Sequence, residues 1–254
     1  FLISLLTINK NGFSERLPEI LQKSLSEERP WTLLKDNEGT NCYSRKDKPC
    51  EFNNNSNKEI YLIGDSHLAA MSNEIKKLSI NKNYKFIDLT NPRCLFLPNF
   101  VRVNKDNGKI SNFCNLDYQR KVEKYVNNSS TESIFIFGGR FPMYLSGKKF
   151  DNQEGGIEPG KVWIEEFQST RYQESFQSVF KEQILRIANM GKEVILIYPI
   201  PETGFDTKSV IYNRIPKIMV NLNKKEFEKQ LQISPITTSY EVFKSRTESS
   251  FKLL

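Results

Sequence analysis

The sequence contains a single histidine, His67, in 254 residues, and that scarcity limits its chemistry more than any other feature. Histidine is the usual general base near neutral pH, so a serine nucleophile in this chain has either His67 to draw on or no histidine at all. No C-x-x-C pair occurs. With one histidine, a zinc site would need all four thiolates of Cys42, Cys50, Cys94 and Cys114, at irregular spacing, so no metal is expected. The sequence also lacks a dense basic run, zinc-finger spacing and an aromatic ribonucleoprotein motif. These absences argue against a nucleic-acid partner despite the net charge of +7. Lysines are mixed with acids instead, as in "NKKEFEKQ", the pattern of a solvated helix face. Such a charge suits phospholipid headgroups or an acidic polysaccharide. The opening stretch "FLISLLTI" has eight uncharged residues, too few to cross a bilayer alone, since about 20 are needed. It reads as a buried strand or helix end, or as the end of a membrane helix begun upstream. The absence of an initial methionine favours the second. No internal repeat or low-complexity segment is present.

What is present suits one α/β domain with added loops, the hydrophobic share of 38% being enough for a core. After the apolar opening, residues 9–58 are polar and read as a linker leading to a stapled loop, with the main domain over 59–254. "EIYLIG" is a short apolar run ending in Gly64, and "HLAAMSNEIKKL" continues as a helix with Leu68, Met71, Ile75 and Leu78 on one face. "YKFIDL" predicts a second strand and "LDYQRKVEKYV" a helix. "SIFIFGG" and "EVILIYPIP" read as strands buried on both faces of a parallel sheet. Between them lies a long loop broken by Gly147, Gly155, Gly156 and Gly160, followed by a helix from about Ser169 that closes at Gly191. Weaker helical patterns cover 210–219, 224–231 and 239–254. Strands alternating with helices predict a mostly parallel sheet with helices on both faces. Ligands bind such sheets at the carboxyl ends of the strands, and Gly64, Gly138 and Pro199 mark those ends.

Each local cysteine pair lies in a loop-like segment. Disulfides Cys42–Cys50 and Cys94–Cys114 are the favoured reading, each stabilising by roughly 2.5 to 3 kcal/mol on the chain-entropy estimate. Four buried free thiols are the alternative. Disulfides would place the domain in an oxidising compartment.

Ser66 sits between the first strand and its helix. A nucleophile there is displayed on a tight turn, and its N–H can serve a developing oxyanion. As a plain alternative, Ser66 is a helix N-cap. Asp65 fits a structural role, its carboxylate accepting from nearby backbone N–H groups. Successive helical side chains diverge by about 100°, so His67 is poorly placed as a base and suits substrate contact or loop support. "FIFGGRFPMYLSG" puts Gly139 and Arg140 just past another strand end, where Arg140 could serve an oxyanion or hold an anionic or sugar substrate. Arg140 could equally pair with an acid, and Tyr144 is open to the same two readings. "YPIPETGFD" suggests a rim loop carrying Glu202 and Asp206.

"IGDSH" after an apolar strand resembles the first block of SGNH hydrolases. Taken with "NGFSERLPE", the paired cysteines, "GGRFPMYLSG" and "YPIPETGFD", the chain resembles the periplasmic SGNH domain fused to acyltransferase-3 membrane proteins of bacteria. The likeness covers about residues 9–254. It implies a three-layer, SGNH-hydrolase-like (flavodoxin-like) fold, with Ser66 as the nucleophile that passes an acetyl group to a surface polysaccharide such as lipopolysaccharide. It also implies no bound cofactor, an acetyl donor supplied through an N-terminal acyltransferase-3 domain of the same protein, and a place in the periplasm at the inner membrane. Residues 1–8 would then end the last membrane helix. Two departures stand out. Arg140 occupies the region where a "GxND" asparagine is usual, and the late Asp-x-x-His motif is missing. The simplest expectation is a domain incomplete at its C-terminus and nearly inactive alone. A non-catalytic glycan-binding module, a base from another chain and a secreted carbohydrate esterase are the alternatives.

Overall fold

The apolar residues of "EIYLIG" alternate between two cores, which forces this segment into the middle of a sheet. In the computed structural model, residues 33–154, 156–158, 165–171, 174–205 and 237–254 are described, together with the isolated residues 210 and 229. The apolar opening, Gly155, Gly160, Asp206 and nearly all of the helices read at 210–219 and 224–231 lie outside them. Strands β1 (Cys50–Phe52), β2 (Glu59–Gly64), β3 (Lys85–Asp88), β5 (Ser133–Gly138) and β7 (Glu193–Ile197) form one sheet in the order β1-β3-β2-β5-β7. All neighbours are parallel except β1, which runs antiparallel to β3. Strands β4 (Phe100–Asn104) and β6 (Glu165–Ser169) make a separate antiparallel pair.

Tyr61 and Ile63 face one way, joining Ile87, Phe135 and Phe137. Helix α3 (Leu116–Asn127) covers that face with Tyr118, Val122 and Val126, and helix α5 (Phe176–Asn189) adds Ile187. Ile60 and Leu62 face the other way with Phe86 and Ile136. They meet Leu68 of α1 (Ser66–Ala69) and Met71 and Ile75 at α2 (Ser72–Asn81). Helices on both faces of a mostly parallel sheet confirm the α/β, SGNH-hydrolase-like architecture. A third cluster unites Leu95, Leu97 and Phe100 with Phe141 of α4 (Phe141–Ser146) and Phe180 of α5, and Leu253 and Leu254 pack against it. They extend from helix α6 (Tyr240–Leu253), which lies against α4.

Several expectations need correction. The single helix read at 67–78 is two, because the chain breaks after Ala69, and Leu78 is then 65% exposed instead of facing the core. Strand β7 is an edge strand among the described residues, with Ile195 37% exposed, and is not buried on both faces. The boundary read at residue 59 moves upstream, because Cys50–Phe52 is a strand of the same sheet.

All four cysteines are paired, Cys42 with Cys50 and Cys94 with Cys114, leaving neither a thiolate site for zinc nor a free thiol. Among the described residues, no helix is long and apolar enough to cross a membrane.

Candidate active site

From β2 the chain passes to β3 on one side, and from β5 to β7 on the other. The gap between the carboxyl ends of β2 and β5 is therefore the point where strand order reverses, the usual ligand crevice of such sheets. Gly64 and Gly138 are register partners at that point. A Cβ on Gly64 would lie 1.9 Å from the Gly138 carbonyl oxygen, so only glycine lets the two strand ends approach this closely.

Ser66 opens α1 immediately after this contact. The helix is capped by Asp65, which has an extended backbone and is 1% exposed. Its Oδ1 accepts from the His67 N–H at 2.8 Å, which meets one of the unpaired donors of a helix start. Its Oδ2 accepts from the Arg140 N–H at 2.8 Å and from the Tyr144 hydroxyl. The turn after β2 is thereby tied to the turn after β5 through one carboxylate. Burial and the adjacent Asp65 charge push the Tyr144 phenol well above its ordinary pKa, so it stays a hydrogen-bond donor. Ser66 and His67 are half-buried, and Gly139 is buried. A Cβ on Gly139 would come 2.7 Å from Leu95 Cδ2 and 3.2 Å from Asp65 Oδ2, so packing alone accounts for that glycine.

Arg140 requires a correction. Its guanidinium carries five donors in a rigid fork. Nε and Nη2 go to Glu202, Nη1 and Nη2 to Glu158, and Nη1 also reaches the Met143 sulfur at 3.5 Å. Burial opposes its charge, but the hydrogen bonds and charges of Glu158 and Glu202 outweigh that and raise its pKa. With its backbone N–H on Asp65 as well, Arg140 has no donor left for an oxyanion. It is a strut between α4 and the loops bearing Glu158 and Glu202. Glu202, read as a rim residue, is its partner, and Arg246 of α6 adds a second guanidinium 3.8 Å from the same carboxylate.

Two features at the site escaped sequence reasoning. The Tyr43 phenol lies beside the Ser66 side chain, close enough to act on it electrostatically. Burial pushes its phenol up to about 12, partly offset by the Ser66 contact and reinforced by the Asp65 charge. The Cys42–Cys50 bond, the β1–β3 pairing and the Ser44 N–H on the Thr90 carbonyl at 3.2 Å hold its loop over the strand ends. A tyrosine following a stapled cysteine was the only available hint. The second is the segment "TNPRCLF", which closes against the site: the Asn91 N–H donates to the Gly64 carbonyl at 2.8 Å. Buried Gln119 of α3 holds this segment's continuation, accepting from Leu97 N–H at 2.8 Å and donating to the Leu95 carbonyl at 3.1 Å.

A serine on a capped turn at the switch point of a flavodoxin-like sheet defines an α/β protein of the SGNH-hydrolase class. More specifically, the family described as "SGNH domain (fused to AT3 domains)" matches residues 35–254, and the chain belongs to it. No curated protein and no solved structure matches the chain significantly. Membership supports acyl-transfer or esterase-type chemistry, an acyltransferase-3 partner domain in the same protein and a membrane-protein context.

Proposed function

We propose that the chain is the SGNH domain of a membrane-bound O-acyltransferase that acetylates hydroxyls of a bacterial surface polysaccharide, lipopolysaccharide O-antigen or similar, through Ser66. One observation carries this reading: Ser66 is held at the sheet's switch point by Asp65, which locks its turn to the turn after β5. In the first step Ser66 Oγ attacks the carbonyl carbon of an acetyl donor delivered through the acyltransferase-3 domain. The hydroxyl proton passes to a base, the donor's leaving group departs, and an acetyl-serine ester forms. The acceptor hydroxyl then attacks that ester, loses its proton, and Ser66 is regenerated. In this scheme the N–H groups of Ser66 and Gly139 serve the developing oxyanion. The scheme uses no resident cofactor, and the domain works on the periplasmic side of the inner membrane.

His67, the one histidine in these 254 residues, is Ser66's own neighbour, so this reading assigns the base to a different group. The test is peptide mass spectrometry of the full-length protein from cells, together with the O-acetyl content of their surface polysaccharide. An acetyl adduct on the Ser66 peptide, and loss of polysaccharide acetylation in Ser66→Ala, are expected. Unchanged acetylation in Ser66→Ala overturns the reading.

The lone histidine favours one second reading, a glycan-binding module in which Ser66 and Tyr43 only hydrogen-bond sugar. Its signature is polysaccharide binding with no acetyl adduct on the wild-type full-length protein.

A further inference from the structure

Beside the Ser66 crevice lies a cleft of about 380 Å³ whose lining includes three cationic side chains, Arg93, Arg102 and Lys109, against one carboxylate, Glu165. That carboxylate is shared, since Arg102 Nε lies 3.1 Å and Arg93 Nη1 3.4 Å from the same Glu165 oxygen. Among the described residues that line the cleft, positive charge therefore exceeds negative in a concave setting, where low-dielectric walls strengthen its field. Its lining also includes Phe113 and Ile110, which are 43% and 51% exposed, whereas most phenylalanines among the described residues are buried. Amides contribute as well. Asn104 and Asn107 use their Oδ1 atoms to hold the 104–109 turn, which leaves their NH2 ends to offer a ligand. The Arg102 guanidinium is taken up by Glu165, Ser111 and the Pro92 and Arg93 carbonyls, so the exposed cations Arg93 and Lys109, with the amide donors and the apolar ring, suit a charged sugar: cation for the anion, amides for hydroxyls, and the aromatic face for ring C–H groups.

The cleft is also built before any ligand arrives. Arg93 precedes Cys94 and Phe113 precedes Cys114, so one disulfide fastens both walls. Arg102, 2% exposed, crosses the floor, with its N–H on the Cys114 carbonyl at 2.9 Å and Nη2 on Ser111 Oγ at 2.9 Å. Such rigidity lowers the ordering cost of binding. Proximity to Ser66 comes through the backbone: Asn91, two residues upstream of Arg93, donates its N–H to the carbonyl of Gly64, two residues before Ser66. The volume lies at the low end for small-molecule sites, so it takes a single ring and not a chain.

We infer that this cleft seats an anionic sugar residue of the acceptor, carboxylated or phosphorylated, and so presents a neighbouring hydroxyl to Ser66. Only the last clause rests on the acyl-transfer reading. The test is calorimetric titration of the complete chain with three probes and no acyl donor present: trigalacturonate, glucose 1-phosphate and neutral galactotriose. At least one anionic probe should bind about tenfold or more tighter than the neutral trimer, as charge-assisted hydrogen bonds of typical strength require. Which anionic probe binds identifies the anion. Arg93→Ala and Lys109→Ala, both at exposed positions, should each weaken it several-fold, while Lys77→Ala on α2 should not. Equal affinity for charged and neutral probes, no saturable binding of any of them, or unchanged binding in both cleft variants overturns the inference. Because the readout needs no acetyl group, a protein that binds the anion yet never acylates Ser66 would refute the proposed transfer and leave the cleft standing.

Discussion

The Asp65 carboxylate accepts from two backbone N–H groups and one phenol. Replacing it strands all three donors at a buried position, where each unmet group is costly. Asp65→Ala should therefore lower the unfolding free energy by about 2–4 kcal/mol in urea titrations, with Asp65→Asn costing less. Gly64→Ala is a harsher change, because the new methyl meets the Gly138 carbonyl oxygen at 1.9 Å and a backbone atom cannot swing aside. The expected outcome is little or no folded protein on size exclusion. Ser66 and Asp65 were legible because strand, glycine, turn and helix follow one another in the sequence. Tyr43 was not, since only the fold carries its loop to Ser66. For Arg140 the sequence left two readings open, an oxyanion or substrate donor and an acid-paired arginine, and could not choose because its two carboxylate partners lie 18 and 62 residues downstream.

Strands β2, β3, β5 and β7 were legible as apolar runs, the mark that burial leaves on a sequence. Strands β1, β4 and β6 were not, because none forms an unbroken apolar run, and "EEFQS" is made a strand only by its pairing with β4. Helix α4 is six residues, with a proline in its first turn, too short to show a period. The ion network joining α4 to the loops carrying Glu158 and Glu202 has a pH signature. Burial works against the Glu158 charge, but hydrogen bonding and attraction from Arg140 win and hold its pKa below the usual value. A depressed carboxylate contributes stability that is complete above its unfolded pKa, about 4.5, and is lost as pH falls through the folded value. Thermal midpoints should thus drop between about pH 5 and 3, and the drop should be shallower in Arg140→Met. The Cys42–Cys50 staple makes a second element-scale prediction. Cys42→Ser with Cys50→Ser should cost about 2.5 kcal/mol in urea unfolding, while the Cys94–Cys114 bond keeps its own loop closed.

At the scale of the molecule, the net charge of +7 acts on any anionic polymer before contact is made. Binding of an acidic glycan should weaken as salt is raised from about 0.05 to 0.5 M, because the screening length shrinks over that range, and calorimetry at two salt concentrations measures it. That charge was plain in the sequence, but its gathering into one cleft was not, since Arg93 and Lys109 share a wall only after Cys94 and Cys114 are joined. The bonds of Asp65 also carry a meaning in time. Its acceptor oxygens wait for Arg140 and Tyr144, 75 and 79 residues further along the chain. During synthesis the turn bearing Ser66 emerges before β5, and it cannot take its final shape until β5 has docked beside β2, a distant pairing that slows folding. A nascent or partly folded chain therefore displays Ser66 without the bonds that fix its turn, and that turn is completed only with the sheet.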